Sequence, residues 1–202
     1  MAKARIAVLV SGGGTNLQAL IDAQESGAIA SGTIALVISN NPDAYALQRA
    51  DNAGIDREIV LKKQLGSQAA FEQRIKVLLQ EHKIDLIVLA GFMSILSEEF
   101  TKDFPERIIN VHPSLIPSFC GKGYYGLRVH EEALLYGVKV TGATVHFVNE
   151  IPDGGKIIMQ KAVDILDTDT PEILQKRVME QAEWLLLPHA AEIVAAKIVS
   201  NN

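Results

Sequence analysis

Short apolar runs of strand length alternate with segments of helical periodicity along most of this chain. The runs that predict β-strands are Arg5–Val10, Thr33–Ser39, Glu58–Leu61, Ile84–Ala90, Arg107–Val111, Val140–Val148 and Lys156–Asp164. The segments that predict helices are Thr15–Ser26, Ala44–Ala53, Ser67–His82, Leu127–Tyr136 and a last helix from Pro171 toward Lys197, with a break near Pro188. Alternation of this kind implies right-handed βαβ crossovers. We therefore expect a single α/β domain over residues 1–202, built on an open, mainly parallel, twisted sheet.

The composition excludes several classes of protein. No apolar run approaches the ~18 residues that a membrane span needs, and the first five residues lead into a strand rather than resembling a signal peptide. Cys120 is the single cysteine, which excludes an internal disulfide framework and fits a reducing compartment. A net charge of −5 disfavours broad attraction to nucleic acid. We expect a cytoplasmic protein with neither a membrane nor a nucleic-acid partner.

A glycine-rich loop, Ser11–Asn16, lies between the first predicted strand and the first predicted helix. Glycines let the backbone approach a ligand, and a helix N-terminus offers free N–H groups to an anion. Leu17 stands where the third glycine of a dinucleotide motif belongs, and the lysine of a P-loop is missing. A single phosphate is therefore favoured as the ligand of a Rossmann-like N-terminal half, about residues 1–100. The alternative is a tight turn without a ligand. Separately, Thr15 and Gln18 have the spacing of a capping box at the start of the helix.

Asn110 and His112 lie at the end of the fifth predicted strand, where alternation points both side chains to the same face. Pro113 holds His112 in an extended backbone. An amide donor beside an imidazole suits acyl transfer, in which negative charge develops on a carbonyl oxygen. The alternative is that both side chains simply bond loop carbonyls. The catalytic half would then be about residues 101–202.

Asp153 begins an Asp-Gly-Gly turn between the last two predicted strands. A simple hairpin turn explains this sequence. If the turn returns to the same crevice, the Asp153 carboxylate would instead raise the pKa of His112. His146 is open to two interpretations, a partner of these groups or a core histidine. Five histidines and one cysteine without metal-ligand spacing predict no metal site.

Five stretches of the sequence together resemble the glycinamide ribonucleotide formyltransferase family over nearly the whole chain. They are Val10–Leu17, Leu89–Leu96, Asn110–Pro117, Thr141–Val148 and Asp153–Gly155. The resemblance implies transfer of a formyl group from 10-formyltetrahydrofolate, a co-substrate, to the amine of glycinamide ribonucleotide. Beyond these small molecules we expect no partner except a second copy of the chain, so that the protein would be a monomer or a homodimer.

The resemblance also implies a role for each matching residue. Asn110 and His112 would stabilise the oxyanion, with His112 also a proton donor, and Asp153 would raise the pKa of His112 and assist proton removal. The residues implied to bind the ribonucleotide are Gly14, Thr15 and Asn16 at the phosphate and Glu183 at the glycinamide end. Those implied to bind folate are Met93, Ser94, Ile95, Leu96, Asn110 and the pterin loop of Asn149, Glu150, Ile151, Pro152 and Asp153.

Three features depart from the common pattern of that family. Ser94 and Gln68 stand where basic residues are frequent, which removes candidate partners of the folate glutamate tail. The segment Ser118–Gly126 is longer than in many relatives, and its glycines make it a candidate lid. Arg128 replaces a frequent histidine.

Rival functions differ in what they require of the chain. A formyltetrahydrofolate hydrolase usually has an extra N-terminal domain, and a methionyl-tRNA formyltransferase usually has a basic C-terminal RNA-binding domain. We expect neither in 202 residues of net charge −5. A nicotinamide-dependent oxidoreductase would need the intact glycine motif. A non-catalytic nucleotide-binding module would not need His112.

Overall fold

The computed structural model describes residues 3–201, which form one seven-stranded sheet with helices on both faces. The strands are β1 (Ala4–Val10), β2 (Gly32–Ser39), β3 (Arg57–Ile59), β4 (Leu86–Leu89), β5 (Ile108–His112), β6 (Val140–Phe147) and β7 (Ile157–Asp164). Their order across the sheet is β3-β2-β1-β4-β5-β6-β7. The first five strands are mutually parallel, whereas β6 and β7 are antiparallel to their neighbours. The predicted open, mainly parallel α/β sheet is confirmed.

The longer helices follow the predicted positions, but the short helices Lys62–Leu65 and Glu98–Lys102 were not predicted, and the C-terminal part differs. They are α1 (Thr15–Glu25), α2 (Tyr45–Asn52), α3 (Lys62–Leu65), α4 (Gln68–Glu81), α5 (Glu98–Lys102), α6 (Leu127–Tyr136), α7 (Pro171–Val178) and α8 (Trp184–Ser200). A π-helical turn, Met179–Glu183, joins α7 to α8. The expected break at Pro188 is wrong, because this proline lies inside α8. The chain changes its hydrogen-bond pattern one turn earlier, in the π turn, which no local sequence signal marks.

Local capping explains where several helices begin. The Ser67 hydroxyl accepts from Ala70 N–H at the start of α4, and the Thr170 hydroxyl accepts from Ile173 N–H before Pro171 in α7. The start of α1 differs, since Gly14 is its N-cap, in the left-handed region at φ 71°. The capping box expected from Thr15 and Gln18 is therefore wrong, because Thr15 is already helical and no side chain caps the helix.

Alternation along β1 divides the core into two clusters. Ile6 and Val8 pack in the cluster that includes residues of α1 and α8, while Ala7 and Leu9 pack in the cluster that includes residues of α4 and α5. The same rule applies to β5, where Ile109 and Val111 join the first cluster. The side chains of Asn110 and His112 are consequently directed to the other face of the sheet, at the carboxyl end of β5. This end is where open α/β sheets bind ligands.

Gly142 provides a test of how closely β6 packs. A Cβ atom at this position would lie 2.0 Å from the Lys161 carbonyl oxygen and 2.9 Å from a methyl group of Leu115. We expect Gly142→Ala to destabilise the protein by roughly 1–3 kcal/mol, since the backbone of β7 must move. In thermal unfolding this corresponds to a decrease in Tm of about 2–12 °C. Gly13→Ala is the control, because a Cβ at Gly13 meets nothing within 4 Å; equal Tm values for the two variants would contradict the packing argument.

Candidate active site

Asn110 and His112 are the third and the last residue of β5, which lies between β4 and β6 in the sheet. β5 pairs with β4 on one side and with β6 on the other, in a register that places Asn110 opposite His146 and His112 opposite Thr144. His112 is only 4% exposed, and Asn110 is half-buried. Because strands support both sides of β5, these two side chains are held on a rigid frame.

Asp153 lies between two imidazole rings. Its Oδ2 is 3.5 Å from His112 Nδ1, and its Oδ1 is 3.5 Å from His146 Nε2. The backbone N–H of Gly121 also donates to Oδ2 at 2.8 Å. The turn that carries Asp153 is tight, since a Cβ on Gly155 would lie 1.7 Å from the Phe147 carbonyl oxygen. The hairpin interpretation and the catalytic interpretation of Asp153 are therefore compatible.

His146 connects Asp153 to Asn110. Its Nδ1 lies 2.8 Å from the Phe147 carbonyl oxygen, which requires Nδ1–H as the donor. In the neutral ring, Nε2 is then an acceptor for the Asn110 amide, 3.2 Å away. In the protonated ring, Nε2–H instead faces Asp153 Oδ1. An amide has two N–H groups, so one N–H of Asn110 stays available for another acceptor. His146 is buried, and it is both a core histidine and a partner of the site.

The pKa values of His112 and Asp153 reflect burial opposed by their mutual attraction. Burial lowers the pKa of His112, and the Asp153 charge and the Phe119 carbonyl raise it by less, so that the net pKa lies below the ordinary value. The expected effect of Asp153 is present, since its charge raises the pKa of His112, but burial outweighs it. Burial raises the pKa of Asp153, but His146, His112 and the Gly121 N–H together outweigh burial and bring it below its ordinary value. Asp153 is thus held ionised beside His112.

The segment Ser118–Gly126 lies directly on this pair of residues. His112 Nε2 is 2.9 Å from the Phe119 carbonyl oxygen, and Gly121 bonds Asp153 as described. The Phe119 ring packs edge-on against Tyr124 at 6.4 Å and against Tyr136 at 6.0 Å. A substrate oxygen that uses His112 Nε2–H must take the place of the Phe119 carbonyl.

The glycine-rich loop and Glu183 meet at the N-terminus of α1. Asn16 donates from Nδ2 to Glu183 Oε2 at 2.8 Å, and both side chains are more than nine-tenths buried. The π turn places Glu183 in this position. Burial raises the pKa of Glu183, and the bond from Asn16 partly opposes that rise. Thr15 is on the same turn, with its hydroxyl 3.9 Å from the Met179 sulfur.

The segment implied to bind folate divides into exposed and buried residues. Met93 and Ile95 are 55% and 65% exposed, whereas Leu96 is buried in the core cluster with α4 and α5. Ser94 Oγ accepts from Asn40 at 2.8 Å. Gln68 donates to the Ile95 carbonyl at 3.1 Å, so it braces this segment.

The pterin loop follows β6. Ile151 is 58% exposed, and its N–H donates to the Asn149 side chain at 3.0 Å. Glu150 and Pro152 are exposed as well. Within residues 3–201, no group of three or more His, Cys, Asp and Glu side chains is arranged to hold a metal ion. No helix in that part of the chain is long and apolar enough to cross a membrane.

The buried His130 of α6 leads us to predict that the stability of the protein depends on pH. It is 0% exposed, neither ring nitrogen has a hydrogen-bond partner among the described residues, and burial, with the charge of His112, lowers its pKa to about 4. The unfolded chain binds this proton near pH 6.5, so stability is full above pH 6.5 and decreases as pH falls toward 4. Between pH 7 and 4.5 the contribution amounts to about 2–3 kcal/mol.

The measurement is the free energy of unfolding in urea from pH 4.5 to 7. In His130→Phe, the slope of the unfolding free energy against pH should decrease by the contribution of about one proton. The control His189→Gln, at an exposed position, should keep the wild-type slope. Equal slopes for wild type and His130→Phe would contradict this assignment.

The comparisons with known proteins agree with this geometry. The formyl transferase family model matches residues 4–190, and the chain belongs to that family. A phosphoribosylglycinamide formyltransferase of Haemophilus influenzae is 45% identical over 184 residues, which cover 91% of this chain and 84% of that protein. The Bos taurus trifunctional purine biosynthetic protein adenosine-3 is 44% identical over 98% of this chain. This chain spans about a fifth of the length of such trifunctional relatives, 19% in the Bos taurus protein.

Solved structures give the same result. The glycinamide ribonucleotide transformylase 1 of Symbiobacterium toebii superposes with a TM-score of 0.90 at 42% identity, over 96% of this chain and 89% of that one. A phosphoribosylglycinamide formyltransferase of Brucella melitensis has a TM-score of 0.88 at 39% identity, over 96% and 97% of the two chains.

Proposed function

We propose that this protein transfers the formyl group of 10-formyltetrahydrofolate to the amine of glycinamide ribonucleotide. The products are formylglycinamide ribonucleotide and tetrahydrofolate, in de novo purine synthesis. The observation that carries the proposal is the position of Asp153 between His112 and His146, with Asn110 bonded to the same His146. The names of the relatives supply the substrates, and the arrangement of donors and carboxylate supplies the chemistry.

The proposed reaction uses the substrate amine as nucleophile, Asn110 and His112 as hydrogen-bond donors, and the Asp153 carboxylate as proton acceptor. The substrate amine attacks the formyl carbon, and the electrons of the C=O bond move to its oxygen. The free N–H of Asn110 and the Nε2–H of His112 stabilise that oxyanion. Asp153, ionised because of its lowered pKa, receives the proton that the attacking nitrogen loses, directly or through water. The electrons of the oxyanion then re-form the C=O bond as the bond from the formyl carbon to the folate nitrogen breaks, and that nitrogen takes the proton from Asp153, directly or through water.

The substrates are proposed to occupy two clefts that meet at β5. We assign the ribonucleotide to the N-terminus of α1, with its phosphate at Gly14, Thr15 and Asn16 and its glycinamide end toward Glu183. We assign folate to Met93–Leu96 and to the loop Asn149–Asp153. The charge of −5 and the single cysteine support a cytoplasmic enzyme of small molecules without nucleic acid or membrane partners, as monomer or homodimer.

The test is a steady-state assay of purified protein with 10-formyltetrahydrofolate, or its dideaza analogue, followed optically. We expect deformylation only when glycinamide ribonucleotide is present. Deformylation without the ribonucleotide would instead indicate a hydrolase. No deformylation by folded protein in the presence of both substrates would overturn the proposed acceptor.

A further inference from the structure

The first turn of α2 packs closely against the glycine-rich loop. Ala46 N–H donates to the Gly12 carbonyl at 3.1 Å. A Cβ atom on Gly14 would lie 2.6 Å from Ala46 Cβ and 2.8 Å from Ala46 Cα. Only glycine fits there, so the conformation of the loop depends on what α2 presents to it.

Arg49, one turn further along α2, is fixed by three contacts. Its Nε donates to the Gly13 carbonyl at 2.8 Å, and its Nη1 donates to Gln18 Oε1 at 2.9 Å. The guanidinium also lies 5.0 Å from the centre of the Tyr45 ring. Gln18 is in α1, so Arg49 joins the loop to both helices. A lysine offers a single point donor and cannot reproduce this fork.

The two carbonyl bonds orient two backbone donors. In a trans peptide, the C=O of one residue and the N–H of the next point in opposite directions. Because the carbonyls of Gly12 and Gly13 are turned to α2, the N–H groups of Gly13 and Gly14 are turned away from it. Among residues 3–201, neither of these N–H groups has an acceptor. Successive free N–H groups at a helix N-terminus form an anion-binding concavity.

The charge of Arg49 adds attraction for an anion beside this loop. Arg49 and Thr15 both line a cavity of about 890 Å³ between α1 and α8, and among the described residues Arg49 is the one lysine or arginine of that lining. Asp22 and Glu192 are acidic residues of the same lining.

We propose that Arg49 is a positioning residue that holds the glycine-rich loop in the form that receives a phosphate monoester. Arg49 acts through the Gly13 carbonyl, and its charge adds attraction for the phosphate without contact. The inference rests on the proposed function for the identity of the substrate, but not for the phosphate chemistry. Arg49 is 36 residues away from Gly13 in the sequence, so the glycine-rich motif alone does not reveal the role of Arg49.

The test compares Arg49→Gln and Arg49→Lys with wild type. We expect Arg49→Gln to raise KM for glycinamide ribonucleotide at least tenfold and to leave KM for the formyl donor within twofold. Arg49→Lys should restore only part of the loss, because it keeps the charge and loses the fork. Arg57→Gln is the matched control, an exposed arginine of β3 that pairs with Asp51; it should change neither KM.

Binding of ribose 5-phosphate, measured by calorimetry, separates loop positioning from general structural damage. Its Kd should weaken at least tenfold in Arg49→Gln, whereas the activity with unphosphorylated glycinamide riboside should equal that of wild type. A similar loss with both acceptors, or an unchanged Kd for ribose 5-phosphate, would overturn the proposal. If Arg49→Gln does not fold, the same comparison with Arg49→Lys decides. Arg49-dependent binding of ribose 5-phosphate without any formyl transfer would support this inference while the proposed function fails.

Discussion

Replacing Asp153 by asparagine is expected to lower kcat for formyl transfer by roughly 10²–10⁴-fold, the range for loss of a positioned acid–base group. The amide keeps the size of the side chain, and its oxygen can still accept from the Gly121 N–H, which donates to Asp153 Oδ2 at 2.8 Å in the wild-type protein. It removes the negative charge that faces His112 and His146, each 3.5 Å away. The attacking amine then has no anionic acceptor for its proton.

The loss of charge should also be visible on His112 itself. Since the Asp153 charge raises the pKa of His112, its removal should lower that pKa further below the ordinary value. The shift can be followed by NMR titration of the imidazole. Asp167→Asn is the control, because Asp167 is exposed and pairs with Lys139 at the surface. Wild-type kcat in Asp153→Asn, with the folded state intact, would remove Asp153 from the mechanism.

Asn110→Ala is expected to lower kcat by about 100–1000-fold, the usual cost of one oxyanion donor. The free amide N–H of Asn110 is directed at charge that develops only in the transition state, so KM for both substrates should change by less than about threefold. The variant also leaves His146 Nε2 without its donor at 3.2 Å. Asn110→Asp should be as slow as Asn110→Ala, because a carboxylate repels the oxyanion.

The control for this position is Asn52→Ala. Asn52 is exposed at the end of α2, where it accepts from Gln48. It should turn over at the wild-type rate. A decrease of kcat/KM in Asn110→Ala that arises from KM alone would show that Asn110 binds substrate rather than stabilising the transition state.

Much of the fold was predictable because its signals are local. The helix Leu127–Tyr136 was predicted with its observed bounds, and the last predicted helix begins at Pro171, as α7 does. The π turn Met179–Glu183 was not predictable, because its sequence is that of an ordinary helix. Gly14 replaced the expected capping box because contact with Ala46, 32 residues away, decides the backbone there.

The candidate site shows the same division between local and distant information. The common face of Asn110 and His112 follows from the two-residue period of a strand. The position of His146 depends on the register between β5 and β6, which is a property of the assembled sheet. The direction of the pKa of His112 required its burial to be known, since burial outweighs Asp153. Roles for the remaining predicted residues, such as Glu183 and Met93, stay predictions.

The fate of the formyl carbon tests the central claim most directly. The wild-type protein would be incubated with glycinamide ribonucleotide and a formyl donor labelled with ¹³C, and the label would be located by NMR. We expect the label to appear on the glycinamide nitrogen of the ribonucleotide, and Asp153→Asn to slow its appearance by at least 100-fold. Label recovered as free formate, at a rate independent of the ribonucleotide, would show that the protein hydrolyses the formyl donor instead of transferring its formyl group.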